Sequence, residues 1–514
     1  MTTATKAPAA APYEQLRTLM REAGTLGAVN ALLNWDQETY MPHAGAAHRA
    51  EQQAMLSALT HEKRTSPRVG ELIAACEAQT SLDEGARANV KAMRRDYDLA
   101  TKLPTELVAE LAKTTSQAQE AWKEARAKSD FAAFAPWLSR VLDLTRQKAQ
   151  CYGIPKRADG QAGELYDALL DEYEPGVSAK EVSAIFTPLR ARLAALVAEI
   201  AKAPRKPDRS VLHQKFTRAQ HEALCNAVLE KMGFDLSAGR LDVTTHPFCS
   251  GMAPGDTRLT FRWQTESFLE PLYGVMHEAG HGLYEQGLPK ADHFGEPLGD
   301  AVSLGIHESQ SRMWENFVGR SRAFWTWALP HAKKAYAPAL DAYTIETMVQ
   351  TANIVQRSFI RVEADEATYN LHIMLRFELE RALISGGLAV KDLPAAWNER
   401  FKQYLGLDVP DDRRGCLQDV HWSFGLVGYF PTYTLGNLYA AQFWEKINAQ
   451  VTDLDAQMAR GQFGALLAWL RQNIHRHGRR HSATELCQMA TGKPLSADPL
   501  LRHLEGRLRP VYGL

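Results

Sequence analysis

Apolar residues recur at three- and four-residue intervals from about Tyr13 to Lys202, and again from Ser267 almost to the carboxyl end. A period of that kind is buried by helices packing on helices, which restricts the chain to a mainly α architecture. The pattern breaks at Met41-Pro42, near Pro104 and between Gly153 and Gly163, and residues 203–209 form a connection rich in helix breakers. After that connection the period changes. Val211–Phe216, Arg240–Thr245 and Arg258–Trp263 are strand candidates, which predicts a small sheet within residues 209–263. A chain of 514 residues would carry about three domains on length alone. No internal repeat or long linker divides the helical pattern, so we expect one helical domain over residues 13–514, with room for two lobes flanking a groove, behind a disordered tail over 1–12. That tail lacks the charged-then-apolar order of a signal peptide.

The formal charge of −1 leaves no footprint for a polyanion, and the one basic cluster, residues 475–481, is short and interrupted by Gly478. Nucleic acid is therefore not an expected partner. No apolar run approaches the roughly 20 residues needed to span a bilayer, so no membrane partner is expected either. The six cysteines are scattered without a C-x-x-C pair, which suggests neither a metal knuckle nor a disulfide framework and fits a reducing cytoplasm.

His277-Glu278-Ala279-Gly280-His281 is an H-E-x-x-H arrangement. On a helix it places two imidazoles one turn apart on one face, both able to reach one ion, with a carboxylate beside them. The flanking sequence predicts that helix: Ser267 and Glu270 have capping-box spacing, and Gly287 and Pro289 supply stop signals. Gly274, Gly280 and Gly282 are poor helix formers, and their presence predicts close approach of another element. A catalytic zinc takes three protein ligands and keeps one open position. Glu308, in a second helical segment, is the better candidate for the third ligand, and its neighbour His307 competes. Adjacent helical residues point about 100° apart, so at most one of them faces the ion.

Further motifs accompany this one. They are His246-Pro247-Phe248, Asp256-Thr257-Arg258-Leu259-Thr260 (D-x-R-x-T), His307-Glu308-Ser309-Gln310, Ile360-Arg361-Val362-Glu363-Ala364-Asp365 (I-R-x-x-A-D) and Gly415-Cys416-Leu417-Gln418-Asp419-Val420-His421-Trp422 (G-x-x-Q-D-x-H-W). Trp35-Asp36, Met41-Pro42 and the stretch Tyr166–Gly176 add to them. Through these residues the chain resembles the carboxypeptidase Taq family of metallopeptidases nearly end to end. The resemblance implies an elongated, mostly helical fold with a deep central groove and a small sheet beside the active site, similar to neurolysin and the angiotensin-converting enzymes. It also implies a homodimer, Glu308 as third ligand, and metal-dependent removal of residues from the carboxyl end of short peptides. An endo-acting oligopeptidase with the same metal site is the alternative of like chemistry, and a non-catalytic helical peptide-binding module the alternative of another class.

The expected chemistry follows from these assignments. His277, His281 and Glu308 hold one divalent ion per chain, with Zn2+ suited to the set and Co2+ or Mn2+ able to occupy it. The ion activates a water, and Glu278 acts as general base. Tyr433 or Tyr429, in a Gly-rich stretch, would steady the oxyanion, with His421 assisting. Arg361 first, then Arg258, are the candidates to grip the terminal carboxylate, unless each is paired with its own motif's acid, Asp365 or Asp256. His246 is a further candidate for contact with substrate. Glu315 and Asp419 are candidates to orient the ligand imidazoles.

Overall fold

A computed structural model describes residues 11–157, 160–263 and 266–514. Most of the expected tail, residues 1–10, lies outside the described residues. The first helix, α1, begins at Pro12 and runs to Thr39, followed by α2 (Ala46–Thr65), α3 (Pro67–Glu77) and α4 (Glu84–Lys102). The breaks fall where the sequence puts them. Helix α1 stops before Met41-Pro42, α4 stops before Pro104, and the helices flanking the Gly153–Gly163 break end at Tyr152 and resume at Leu165.

The apolar faces of the helices collect mainly into two cores. Leu16 and Met20 of α1 meet Val69, Leu72 and Ile73 of α3 and Val90 and Met93 of α4 in a small cluster of their own. Helix α2 buries no side chain. A much larger core runs from Ala118 to Tyr512 and contains the helices that carry the motifs.

Three strands form the sheet: β1 (Gly239–Val243), β2 (Cys249–Ala253) and β3 (Asp256–Phe261). Their order is β1-β3-β2, with β1 parallel to β3 and β2 antiparallel to it, so β2 is an edge strand. Two expectations fail here. Val211–Phe216 is not a strand: Ser210–His213 forms a 3-10 turn, and the segment keeps only the bridge Lys215↔Glu266. Val211 and Phe216 are both buried, Phe216 against Phe268 and Tyr336, so their apolar spacing serves an aromatic core and not a pleat. Conversely β2 is missed, because Cys-Ser-Gly-Met-Ala has neither β-branched residues nor alternation.

The sheet has two distinct faces. Leu259 meets Gly282 of the helix Leu269–Gly287, and Phe261 packs with Cys225 and Val275. On the opposite face the guanidinium groups of Arg258 and Arg240 lie over the Trp35 ring, 4.2 and 5.0 Å from its centroid. This explains Trp35 in the amino-terminal motif: it clamps α1 to the sheet.

Candidate active site

The H-E-x-x-H residues lie in the helix Leu269–Gly287, called here the motif helix. Its start departs from expectation. Phe268 is the N-cap without a side-chain cap bond, and Ser267 adopts a left-handed backbone (φ 58°), so the Ser267/Glu270 capping box does not form. The glycines behave largely as expected. A Cβ on Gly280 would lie 2.5 Å from the Gln310 carbonyl oxygen, and one on Gly282 would lie 2.7 Å from Leu259 and Phe234. At Gly274 there is open space.

Glu308 belongs to the helix Leu304–Arg312, the glutamate helix, which crosses the motif helix at Gly280. Its start is fixed twice. The Ser303 hydroxyl accepts from Ile306 N–H (3.1 Å), and the buried Glu174 carboxylate accepts from Gly305 N–H (3.0 Å). From the other side comes the helix Pro431–Gln450, the tyrosine helix, whose Gly436 leaves room for Glu308: a Cβ there would lie 2.7 Å from the Glu308 Cβ.

Three donor groups therefore converge. Ligand atoms of His277, His281 and Glu308 all lie within 4.8 Å of one another, the one such group found among the described residues. Glu308 Oε2 is 3.7 Å from His277 Nε2 and 3.5 Å from His281 Nε2. Its other oxygen accepts from Arg312 Nε at 2.7 Å, so one oxygen is left facing the imidazoles.

The outer ring nitrogens are also engaged. His277 Nδ1 is 2.8 Å from Glu315 Oε2, and since a carboxylate only accepts, Nδ1 carries a proton and Nε2 is the nitrogen that faces inward. His281 Nδ1 is 2.5 Å from His307 Nδ1, and His307 Nε2 is 2.8 Å from Glu285 Oε1. His307 thus stands behind the His281 ring. The donor set, two imidazole nitrogens and one carboxylate oxygen around a common point, fits a zinc-type cation with an open position. Glu315 orients an imidazole as expected; Asp419 does not.

The charges follow from this packing. Burial works against ionisation of Glu308, but Arg312 and the imidazoles hold its carboxyl well below the usual range. Burial likewise opposes charge on Glu315, which Arg312 and His277 nevertheless bring down to about 2. Burial would lower His277, but Glu308 and Glu315 raise it to about 8; burial and His307 push His281 down to about 3. Glu278, only 7% exposed, is raised to about 7, chiefly by burial, with His277 lowering it and Glu308 raising it. Edge strand β2 is its neighbour: the Cys249 thiol, raised well above its usual value by burial, also feels Glu285 and Glu278.

Arg361 is buried, but its partner is not Asp365. Its Nε donates to Asp419 Oδ1 (3.0 Å) and its NH1 to the Tyr369 hydroxyl (3.0 Å), while Asp419 also takes Arg376 Nε (2.7 Å) on its other oxygen. Asp365 instead accepts the backbone N–H groups of Gln356, Ala367 and Thr368. Two guanidiniums around one carboxylate leave a net positive charge beside Tyr433, whose ring centroid lies 5.3 Å from Arg361 Cζ. Tyr433 and Tyr429 adjoin each other (centroids 5.4 Å apart), and both phenols, raised by burial, feel the Glu308 charge. His421 stacks on Phe430 at 4.5 Å, its buried Nδ1 has no hydrogen-bond partner, and burial lowers it to about 4.

Two candidates are placed elsewhere. Arg258 makes a bidentate pair with Asp256, both bonds 2.9 Å, on the sheet face turned toward Trp35 and away from the motif helix. His246 is exposed in the turn between β1 and β2. Sequence reading missed Arg312, which follows Glu308 by one helical turn and bridges Glu308 and Glu315 while lying over the Tyr369 ring (4.5 Å). Its i, i+4 spacing from Glu308 was the available signal.

The sequence profile described as Carboxypeptidase Taq (M32) metallopeptidase matches residues 15–508. Thermostable carboxypeptidase 1 of Thermus thermophilus is 45% identical over 508 residues, covering 98% of this chain and 99% of that protein. Carboxypeptidase 1 of Bacillus subtilis is 36% identical over 94% of this chain and 95% of its own length. Among solved structures, the M32 carboxypeptidase from Deinococcus radiodurans R1 superposes with a TM-score of 0.94 at 40% identity, covering 98% of this chain and 100% of that one.

Proposed function

Because this chain belongs to the carboxypeptidase Taq (M32) family of metallopeptidases and is a metallocarboxypeptidase, we propose that His277, His281 and Glu308 hold its divalent cation and that Glu278 moves the proton. The observation carrying this reading is the convergence of the three donor groups, with Glu278 on the same helix between the two histidines. A cation so held supplies Lewis acidity toward a carbonyl oxygen and lowers the pKa of a water. Zinc suits the two nitrogens and one oxygen, with cobalt or manganese as other occupants of the same ligands.

Glu278 takes a proton from the attacking water and returns it to the leaving amine, work suited to a carboxylate raised to about 7. Tyr433 and Tyr429 offer phenolic donors to the developing oxyanion, with His421, whose ring lies beside both, assisting. The surplus positive charge of Arg361 and Arg376 around Asp419 suits a substrate's terminal carboxylate, with Arg361 the gripping residue. Arg258, paired with Asp256, is a brace for the sheet. His246 is left as an exposed contact for the peptide, which would lie along the edge of β2.

We read the protein as a cytoplasmic homodimer acting on short peptides. Six unpaired cysteines support the first part. Among the described residues no helix is long and apolar enough to cross a membrane.

Glu278→Gln tests the assignment: turnover should fall by at least about 10²-fold while bound metal, measured by elemental analysis, stays at the parent level. Near-normal activity in that variant would refute it. A time course on one mixed peptide, with and without chelator and resolved by mass, should show stepwise loss from the carboxyl end that the chelator stops.

A further inference from the structure

The two ligand imidazoles are not held alike. His277 donates directly to a carboxylate, Glu315 at 2.8 Å. The outer nitrogen of His281 reaches a carboxylate only through a second imidazole. Its Nδ1 lies 2.5 Å from His307 Nδ1, and His307 Nε2 lies 2.8 Å from Glu285 Oε1. The other Glu285 oxygen is paired with the Lys290 ammonium, which also donates to the Gly251 carbonyl of β2 at 2.9 Å.

The order of protons in this chain is set from its far end. Lys290 keeps Glu285 an acceptor, so His307 Nε2 carries a proton and His307 Nδ1 is a lone pair. His281 Nδ1 must then donate, which leaves His281 Nε2 as the lone pair facing Glu308. One turn of the glutamate helix thus meets His281 from both sides: Glu308 at Nε2 and its neighbour His307 at Nδ1. Tyr284, with its ring centroid 5.2 Å from that of His307, walls the relay.

We propose that His307, backed by Glu285 and Lys290, is a positioning residue that fixes the tautomer and ring angle of His281 and thereby sets how tightly the chain holds its cation. This rests on the ligand set proposed above. Outer partners of ligand histidines commonly contribute 10- to 100-fold in metal affinity.

The test is zinc affinity by competition with a chromophoric chelator, measured on metal-depleted full-length protein. His307→Ala should bind zinc roughly 10- to 100-fold more weakly. His307→Gln, whose amide offers one acceptor and one donor, should recover most of that loss. Glu285→Gln should weaken binding by roughly 3- to 10-fold, and combining it with His307→Ala should add little, because both act through one chain. Parent-like affinity in His307→Ala would overturn the proposal, as would equal losses in the Ala and Gln variants, which would mean simple packing. If His307→Ala does not fold, Glu285→Gln decides: unchanged affinity sinks the relay. Glu308→Ala separates this inference from its premise. Zinc binding at the parent level in that variant would mean the ligand set is wrong, whereas its loss alongside a parent-like His307→Ala would mean only the relay is wrong.

Discussion

Two buried carboxyl groups away from the ligands keep their protons by a different logic from that of Glu308. Glu380 accepts from the Trp422 indole (2.8 Å), the Tyr166 hydroxyl (2.7 Å) and Gly428 N–H (3.1 Å), all neutral donors, and burial raises it to about 7. Glu174 is raised to about 7 in the same way beneath the glutamate helix. These acids hold the backbone just before Tyr429 and at the start of the Glu308 helix, which is the use of the Tyr166–Gly176 stretch. Between pH 4.5 and about 7 folded Glu380 keeps a proton that the unfolded chain has released, so its contribution to stability falls as pH rises through that window. Buried neutral histidines such as His281 and His421 act in the opposite sense below their unfolded pKa, so only a difference curve isolates Glu380. Unfolding of Glu380→Gln, set against the parent by denaturant titration, should show a constant offset below pH 4.5 and then a relative gain approaching about 3 kcal/mol by pH 7. A flat difference curve would mean Glu380 is ionised in the fold. The His277/His281 pair was legible in the sequence because i, i+4 spacing on one helix is a local property. The Arg361–Asp419 pair was not, because its 58-residue separation is closed only by tertiary packing.

At the scale of elements, three helices meet at one ligand because two glycines let them. Gly280 admits the Gln310–Ser311 backbone, and Gly436 admits the side chain of Glu308 itself. Gly436→Ala puts a methyl 2.7 Å from the Glu308 Cβ and Cγ, in contact with a residue held at its other end by Arg312. Overpacking of this kind costs about 1–3 kcal/mol, and the displaced carboxylate should also weaken zinc binding by more than the stability change alone would. Gly274→Ala is the control: on the motif helix and with nothing within 4 Å of the new methyl, it should raise stability by about 0.5–1 kcal/mol and leave zinc affinity alone. If Gly436→Ala binds zinc like the parent, the tyrosine helix does not set the position of Glu308. Helix existence and helix ends at prolines were readable because the 3.6-residue period and the missing proline N–H act locally. Strand β2 and the start of the motif helix were not, since β2 is specified by pairing with β3 and Ser267 takes a left-handed backbone that its sequence does not announce.

For the whole molecule, the amino-terminal helices form a separate cooperative layer more than an extension of the body. Their core contains no fully buried residue beyond Met93, and α2 contributes none to it. What fastens the layer is polar and aromatic: Trp35 between Arg240 and Arg258, Tyr40 donating to Asp242 at 2.5 Å, Asn89 donating to the buried Glu296 at 2.7 Å, and Arg479 paired with Asp96 at 2.6 Å. Trp35 is the anchor to remove. Burial of so large a side chain, at 6% exposure, makes its loss cost roughly 3–5 kcal/mol, and each guanidinium over its ring adds about 0.5–2 kcal/mol to the attachment. The cost should fall on local opening and not on global unfolding, because the main core shares no buried residue with the small one. In Trp35→Ala, hydrogen exchange followed by mass spectrometry should therefore quicken across the layer, residues 12–102, most in α2, while peptides from the motif and tyrosine helices keep the protection of the parent. Equal acceleration in the motif helix would show that the amino-terminal layer and the catalytic body open as one unit.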